Sequence, residues 1–132
     1  MTKTSEKINY KVYRVINTFM DSFIAIEPRL KKSQLVLTAT GDDLNLGSLD
    51  WMDVITELEG AFGITIETKG LFGANVRALL YACTRPLIAQ QRLTFAEETT
   101  IIQEYNNVLT AITNLQQTQS ANKAQKIKQN TK

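Results

Sequence analysis

Asp43-Leu44-Asn45-Leu46-Gly47-Ser48-Leu49-Asp50, continued by Trp51-Met52-Asp53-Val54-Ile55 and closed by Phe62-Gly63-Ile64-Thr65-Ile66-Glu67, is the stretch on which the fold turns. Leu49, Met52, Ile55, Leu58 and Phe62 recur at helical spacing, with Trp51 and Val54 beside them. An amphipathic helix therefore starts at Ser48 or Leu49. Ser48 suits the N-cap, where a side-chain oxygen accepts from an N–H that the first turn leaves without a partner. Asp50 and Asp53 lie in that turn or just past it, where carboxylates complement the positive end of the helix dipole. Gly63 is placed to end the helix, because it enters the left-handed conformation without the steric cost of a Cβ.

Outward from this segment the helical period continues. Ile8, Val12, Val15, Ile16, Phe19, Met20, Phe23 and Ile24 form one stripe, and Pro28 marks its exit. No period is sustained from Arg29 to Gly47. Leu35-Val36-Leu37 reads as a loop tucked over a helical core, since no second strand exists to pair with it. A short irregular element spans Gly70–Gly73. A helix from about Asn75 to Arg85 uses Val76, Leu79, Leu80 and Cys83, and Pro86 is expected to end or kink it. Thr94-Phe95-Ala96-Glu97 has the form of a capping box. It opens a last helix whose stripe is Ile101, Ile102, Tyr105, Val108, Leu109, Ile112 and Leu115. The sequence after Gln116 is too polar to offset chain entropy by burial and reads as disordered. The expected fold is all-α. Residues 5–91 form a bundle of three main helices and a short one, residues 94–116 add a helix packed on it or on a partner, and residues 117–132 are a basic tail.

Composition removes several function classes. A chain of 132 residues suits one compact domain plus an extra element. No run approaches the roughly 20 apolar residues that cross a bilayer. The polar start from Met1 to Lys7 lacks the apolar core of a signal peptide, so a soluble cytoplasmic protein is expected. Cys83 stands alone, which excludes an internal disulfide and a cysteine cluster, and it reads as a small buried hydrophobe. There is no histidine. That removes Ser–His and Cys–His nucleophile pairs, the usual zinc sites and the commonest general base. Neither catalysis nor a metal site is expected.

The net charge of +2 conceals a segregation of charge. From Gly41 to Glu67 the charged residues are Asp42, Asp43, Asp50, Asp53, Glu57, Glu59 and Glu67, with no Lys or Arg among them. The rest is basic and ends in Lys123, Lys126, Lys128 and Lys132. An acidic middle attracts basic protein surfaces and repels nucleic acid. Nucleic-acid binding is not expected, and would have to come from the tail.

The run from Asp43 to Asp50, with its acidic helix and the Phe62-Gly63-Ile64-Thr65-Ile66 close, resembles the signature of acyl carrier proteins. In that family an Asp-Leu pair precedes a Ser-Leu-Asp at the start of an acidic helix. The helix ends near a Phe, and an Ile-x-Ile step follows. The likeness covers about Ile8 to Cys83, and with its C-terminal helix and tail the chain resembles an atypical, extended member. The resemblance implies that a transferase, using coenzyme A and magnesium, joins Ser48 to 4'-phosphopantetheine. The arm's thiol then carries acyl groups as thioesters in fatty-acid, lipid or secondary-metabolite synthesis. It also implies that acyl-transferring or condensing enzymes with basic patches dock on Leu49, Asp50, Met52, Asp53, Glu57 and Glu59. Such a carrier needs no catalytic base of its own.

Each of these residues also has a plainer reading. Ser48 alone is an ordinary helix cap, the acids a solvated face, and Trp51 a half-buried core residue. Two positions depart from the family pattern: Gly47 stands where it has Asp, and Asn45 where it has Gly. They motivate an alternative, a carrier-fold interaction module without the arm that binds proteins through helix 48–62 and the C-terminal helix.

Overall fold

The computed structural model describes the backbone of residues 2–130 and the side chains of residues 10–115. The protein is an all-α bundle of α1 (Thr2–Ile26), α2 (Ser48–Phe62), α3 (Val76–Ala89) and α4 (Phe95–Asn130), with a single 3-10 turn at Lys32–Gln34. Among the described residues there is no strand, only an isolated antiparallel bridge between Thr40 and Asn75.

α1 is the central element. Val12, Ile16, Phe19, Met20 and Phe23 are fully buried on it, as its stripe requires. Phe23 meets the indole of Trp51 edge-on at 6.1 Å, and Phe19 meets Tyr105 in the same way at 6.0 Å. Such pairs add about 0.5–1.5 kcal/mol beyond the area they bury. α2 runs antiparallel to α1: Phe23 lies by Trp51, while Val15 and Thr18 share a cavity with Ala61 and Phe62. α4 runs parallel to α1, since Lys11 pairs with Glu97 and Phe19 packs on Tyr105. The C-terminal helix thus packs on its own chain through Ile101, Tyr105 and Leu109.

The long α1–α2 connection is ordered by burial and backbone bonds. Leu30, Leu35, Leu44 and Leu46 enter the core. The Arg77 and Val76 N–H groups donate to the carbonyls of Leu37 and Ala39, tying the loop to the start of α3. Gly63 ends α2 at φ 65°, the left-handed cap expected there. Asn75 caps α3 by accepting from the Ala78 N–H at 2.9 Å.

Several boundaries differ from the sequence expectation. Pro86 does not end α3; the helix runs another turn to Ala89, and Leu87 beyond the proline is 4% exposed. Burying that leucine, worth about 1.5–3 kcal/mol, offsets a helix-interior proline at about 3 kcal/mol. α1 begins at Thr2, ahead of Ile8. The backbone of α4 continues helical to Asn130, past the limit of 116, where no Gly or Pro interrupts it. The side chains of the lysine tail lie outside the described residues.

Candidate functional site

The chain reaches Ser48 from a tight turn that is built locally. Thr40 Oγ1 accepts from the Asp43 N–H at 3.2 Å, and Asp43 Oδ2 accepts from the Thr40 N–H at 3.0 Å. The Leu46 N–H returns to the Gly41 carbonyl at 2.8 Å, so close that a Cβ on Gly41 would lie 3.0 Å from the Leu46 oxygen. Asn45 holds φ 60°, a left-handed conformation that Asn tolerates better than most residues. Asp43 is therefore used within the turn, and Leu44 and Leu46 anchor it in the core.

Ser48 is not the N-cap of α2. That position is taken by Gly47, extended at φ −71° and ψ 175°, and Ser48 is the first helical residue. The shift by one residue follows from the backbone. The chain leaves the turn extended through Gly47, whose carbonyl then accepts the first helical bond from the Trp51 N–H at 2.9 Å. No side chain caps this terminus. The Ser48 hydroxyl is exposed and has no hydrogen-bond partner among the described residues.

Beside Ser48 lies a half-open pocket of about 220 Å³, walled by Leu46, Trp51 and Phe72 and edged by Thr40 and Asp42. Trp51, 3% exposed, forms the buried wall, more deeply placed than a half-buried residue. Its Nε1–H donates to the Leu71 carbonyl at 3.0 Å, which pins the turn carrying Phe72 against the start of α2. Phe72 is half exposed and has no role in the sequence reading. Only the fold brings it near Ser48, twenty-four residues away.

The residues expected to dock partners divide into two groups. Leu49 is 82% exposed, Met52 38%, and Asp50, Asp53 and Glu57 are all exposed. At 3.6 residues per turn the three acids fall within an arc of about 60°. None of them forms an ion pair among the described residues, where the pairs are Lys11–Glu97, Arg29–Glu27, Lys32–Asp21 and Arg85–Glu98. Glu59 stands apart: it is half-buried, and its carboxylate accepts the Ile66 N–H at 2.8 Å. That bond fixes the Ile64–Ile66 step, whose isoleucines are buried.

Cys83 is fully buried in α3, and burial pushes its thiol pKa far up, so it is no nucleophile. No cluster of His, Cys, Asp or Glu among the described residues is spaced to hold a metal ion. No described helix is long and apolar enough to cross a membrane. Compared with protein-family models, curated proteins and solved structures, the chain has no match.

Proposed function

We propose that the chain is an acyl carrier, with Ser48 as the attachment point of a 4'-phosphopantetheine arm. The observation that carries this reading is the state of Ser48: exposed, its hydroxyl without a partner among the described residues, and the first residue of a helix with no side-chain cap. Attachment joins the Ser48 oxygen to phosphorus as the phosphoanhydride of coenzyme A breaks, with adenosine 3',5'-bisphosphate leaving and the hydroxyl proton passing to a base of the transferase. The oxygen must therefore be reachable by a second protein. The phosphodiester would lie where free N–H groups and the helix dipole favour an anion. The pocket walled by Leu46, Trp51 and Phe72 offers apolar shelter next to the attachment point.

The flanking surface suits transient docking. Leu49 and Met52 present apolar contact, and Asp50, Asp53 and Glu57 present charge without intramolecular partners among the described residues. Enzymes of lipid or secondary-metabolite synthesis with Arg and Lys at their entrances would be steered to it and released again. The two departures from the family pattern are compatible with this use. Asn45 adopts the left-handed backbone for which glycine is otherwise suited, and at Gly47 there is open space for a larger residue.

The test is intact mass after co-expression with a phosphopantetheinyl transferase of broad specificity. The expected result is the gain of one arm, lost in Ser48→Ala. An unchanged mass with several transferases refutes the carrier reading and leaves the arm-free interaction module in its place.

A further inference from the structure

At the other end of α2, about 21 Å from Ser48 at 1.5 Å per residue, a second cavity opens between α1, the end of α2 and the α3–α4 turn. Its volume is about 350 Å³, within the roughly 300–1,000 Å³ of small-molecule pockets. Val15, Phe62, Leu87 and Leu93 form an apolar floor, while Lys11, Arg14 and Arg92 stand at its rim. The rim charge is only partly neutralised. Lys11 lies 3.3 Å from Glu97, but Arg14 has no partner among the described residues. Among the described residues Arg92 bonds only neutral oxygens, Gln90 Oε1 at 2.9 Å and the Gly63 carbonyl at 3.5 Å, both through Nη1. Its other guanidinium nitrogens are left for a further acceptor.

Arg92 is also held in place by the cap that ends α3, in which the Gln91 N–H donates to the Ile88 carbonyl at 2.9 Å. Gln91, just before it, takes φ 60°, a conformation uncommon in side chains other than Gly, Asn and Asp. The Arg92 N–H then closes onto the Leu87 carbonyl at 2.9 Å, which sets the side chain over the end of α2.

We infer that this cavity binds a small organic anion, a carboxylate or phosphate monoester on a short apolar stem, held at its head by Arg14 and Arg92. Guanidinium forks match both oxyanions in a bidentate manner, and the apolar floor takes the stem. The site is independent of any modification at Ser48.

The test is calorimetric titration of the full chain with octanoate, octyl phosphate and inorganic phosphate. Saturable binding is expected for octanoate or octyl phosphate, and whichever binds more tightly identifies the head group. Inorganic phosphate should bind more weakly. Arg14→Gln with Arg92→Gln should weaken binding by at least about tenfold, as charge-assisted hydrogen bonds are the strong ones. Arg14→Lys with Arg92→Lys should fall between, and Ser48→Ala should bind as the parent does. Both arginines are exposed, so thermal melts of the variants should match the parent; if the double variant fails to fold, each single Gln variant gives the same reading. No saturable binding at millimolar concentration, or equal binding by the Gln variants, overturns the site. Inorganic phosphate binding as tightly as octyl phosphate overturns the apolar-stem assignment.

Discussion

α4 and α2 share one core but treat their polar groups in opposite ways. On the described part of α4, several polar side chains are closed onto the same chain. Thr94 Oγ1 accepts from the Glu97 N–H at 3.1 Å, and Glu97 Oε1 accepts from the Thr94 N–H at 2.8 Å. Glu98, 5% exposed, takes the Thr84 hydroxyl at 2.6 Å and Arg85 Nε at 3.0 Å. Tyr105 donates to the Leu35 carbonyl at 2.6 Å, and Glu104 receives the Tyr13 hydroxyl at 3.0 Å. On α2 the start is uncapped, and among the described residues the Ser48 hydroxyl has no partner and the acids at positions 50, 53 and 57 have no cation. α4 adds several polar bonds to its apolar packing; α2 has two, from Trp51 to the Leu71 carbonyl and from the Ile66 N–H to Glu59, while its start and its acidic face are open to solvent. An open polar face contributes little to stability and leaves chemistry for other molecules.

The sharpest way to test the closed side is Tyr105→Phe. The ring should stay packed on Phe19, but the Leu35 carbonyl loses its donor in a buried place. An unsatisfied buried acceptor costs about 1–3 kcal/mol, so urea unfolding should shift by about 2 kcal/mol. A smaller change than for a surface substitution would mean that water reaches Leu35, and α4 would be less closed than its bonds indicate.

The α4 cap comes next. Thr94→Ala removes the acceptor of the Glu97 N–H and should cost about 1 kcal/mol. Glu97 also gives the closed side a pH dependence. Partial burial alone would raise its carboxyl pKa, but the Thr94 N–H and the Lys11 ammonium outweigh that and hold it below the ordinary value. A carboxyl with a lowered folded-state pKa adds stability that is full above its unfolded pKa and is lost as pH falls through the folded one. Parent protein should therefore lose stability on acidification below the ordinary glutamate range, and Glu97→Gln should flatten that part of the profile.

These two helices also mark what the sequence can and cannot tell. The Thr94–Glu97 box and the left-handed Gly63 were legible because each is decided within a few neighbouring residues. The α1 stripe was legible because period alone dictates which side is buried. The cap of α2 was misplaced by one residue because it depends on the backbone angles of Gly47, set by the turn before it. Pro86 misled because Leu87, one residue on, finds a core that local pattern does not reveal. Period alone put Leu49 and Met52 on one apolar face with Ile55, Leu58 and Phe62. Yet those two are exposed and Trp51 and Val54 are buried instead, because the packing of α2 against α1 selects the face. Phe72 beside Ser48, and Arg14 beside Arg92, join residues far apart in the chain, and no local signal exposes such pairs.

On the open side, Gly47→Asp should make α2 resemble α4. Gly47 already has the extended backbone of an N-cap, and a Cβ there meets nothing within 4 Å. An Asp side chain would accept from an N–H of the first turn, and the unfolded chain would lose freedom. Together these should add about 0.5 kcal/mol. The same change places at position 47 the residue that the carrier pattern has before its serine, so under the proposed carrier function arm attachment should quicken. A gain in stability with no gain in attachment would separate the cap from transferase recognition.

Neutralising the acidic face should have the smallest effect on stability, and for that reason it says most about what the face is for. Asp50→Asn, Asp53→Asn and Glu57→Gln together remove a favourable charge from the first turn, about 0.3–1 kcal/mol. They also relieve the like-charge pairs 50–53 and 53–57, about 0.2–0.5 kcal/mol each. These nearly cancel, so unfolding should move by less than about 0.5 kcal/mol. Arm attachment by a transferase should slow at low salt and lose its salt dependence, because steering by exposed charge is screened over about 10 Å at 0.1 M. If stability fell by as much as in Tyr105→Phe while attachment was unchanged, the acids would belong to the fold. The contrast between the closed helix and the open one would then fail.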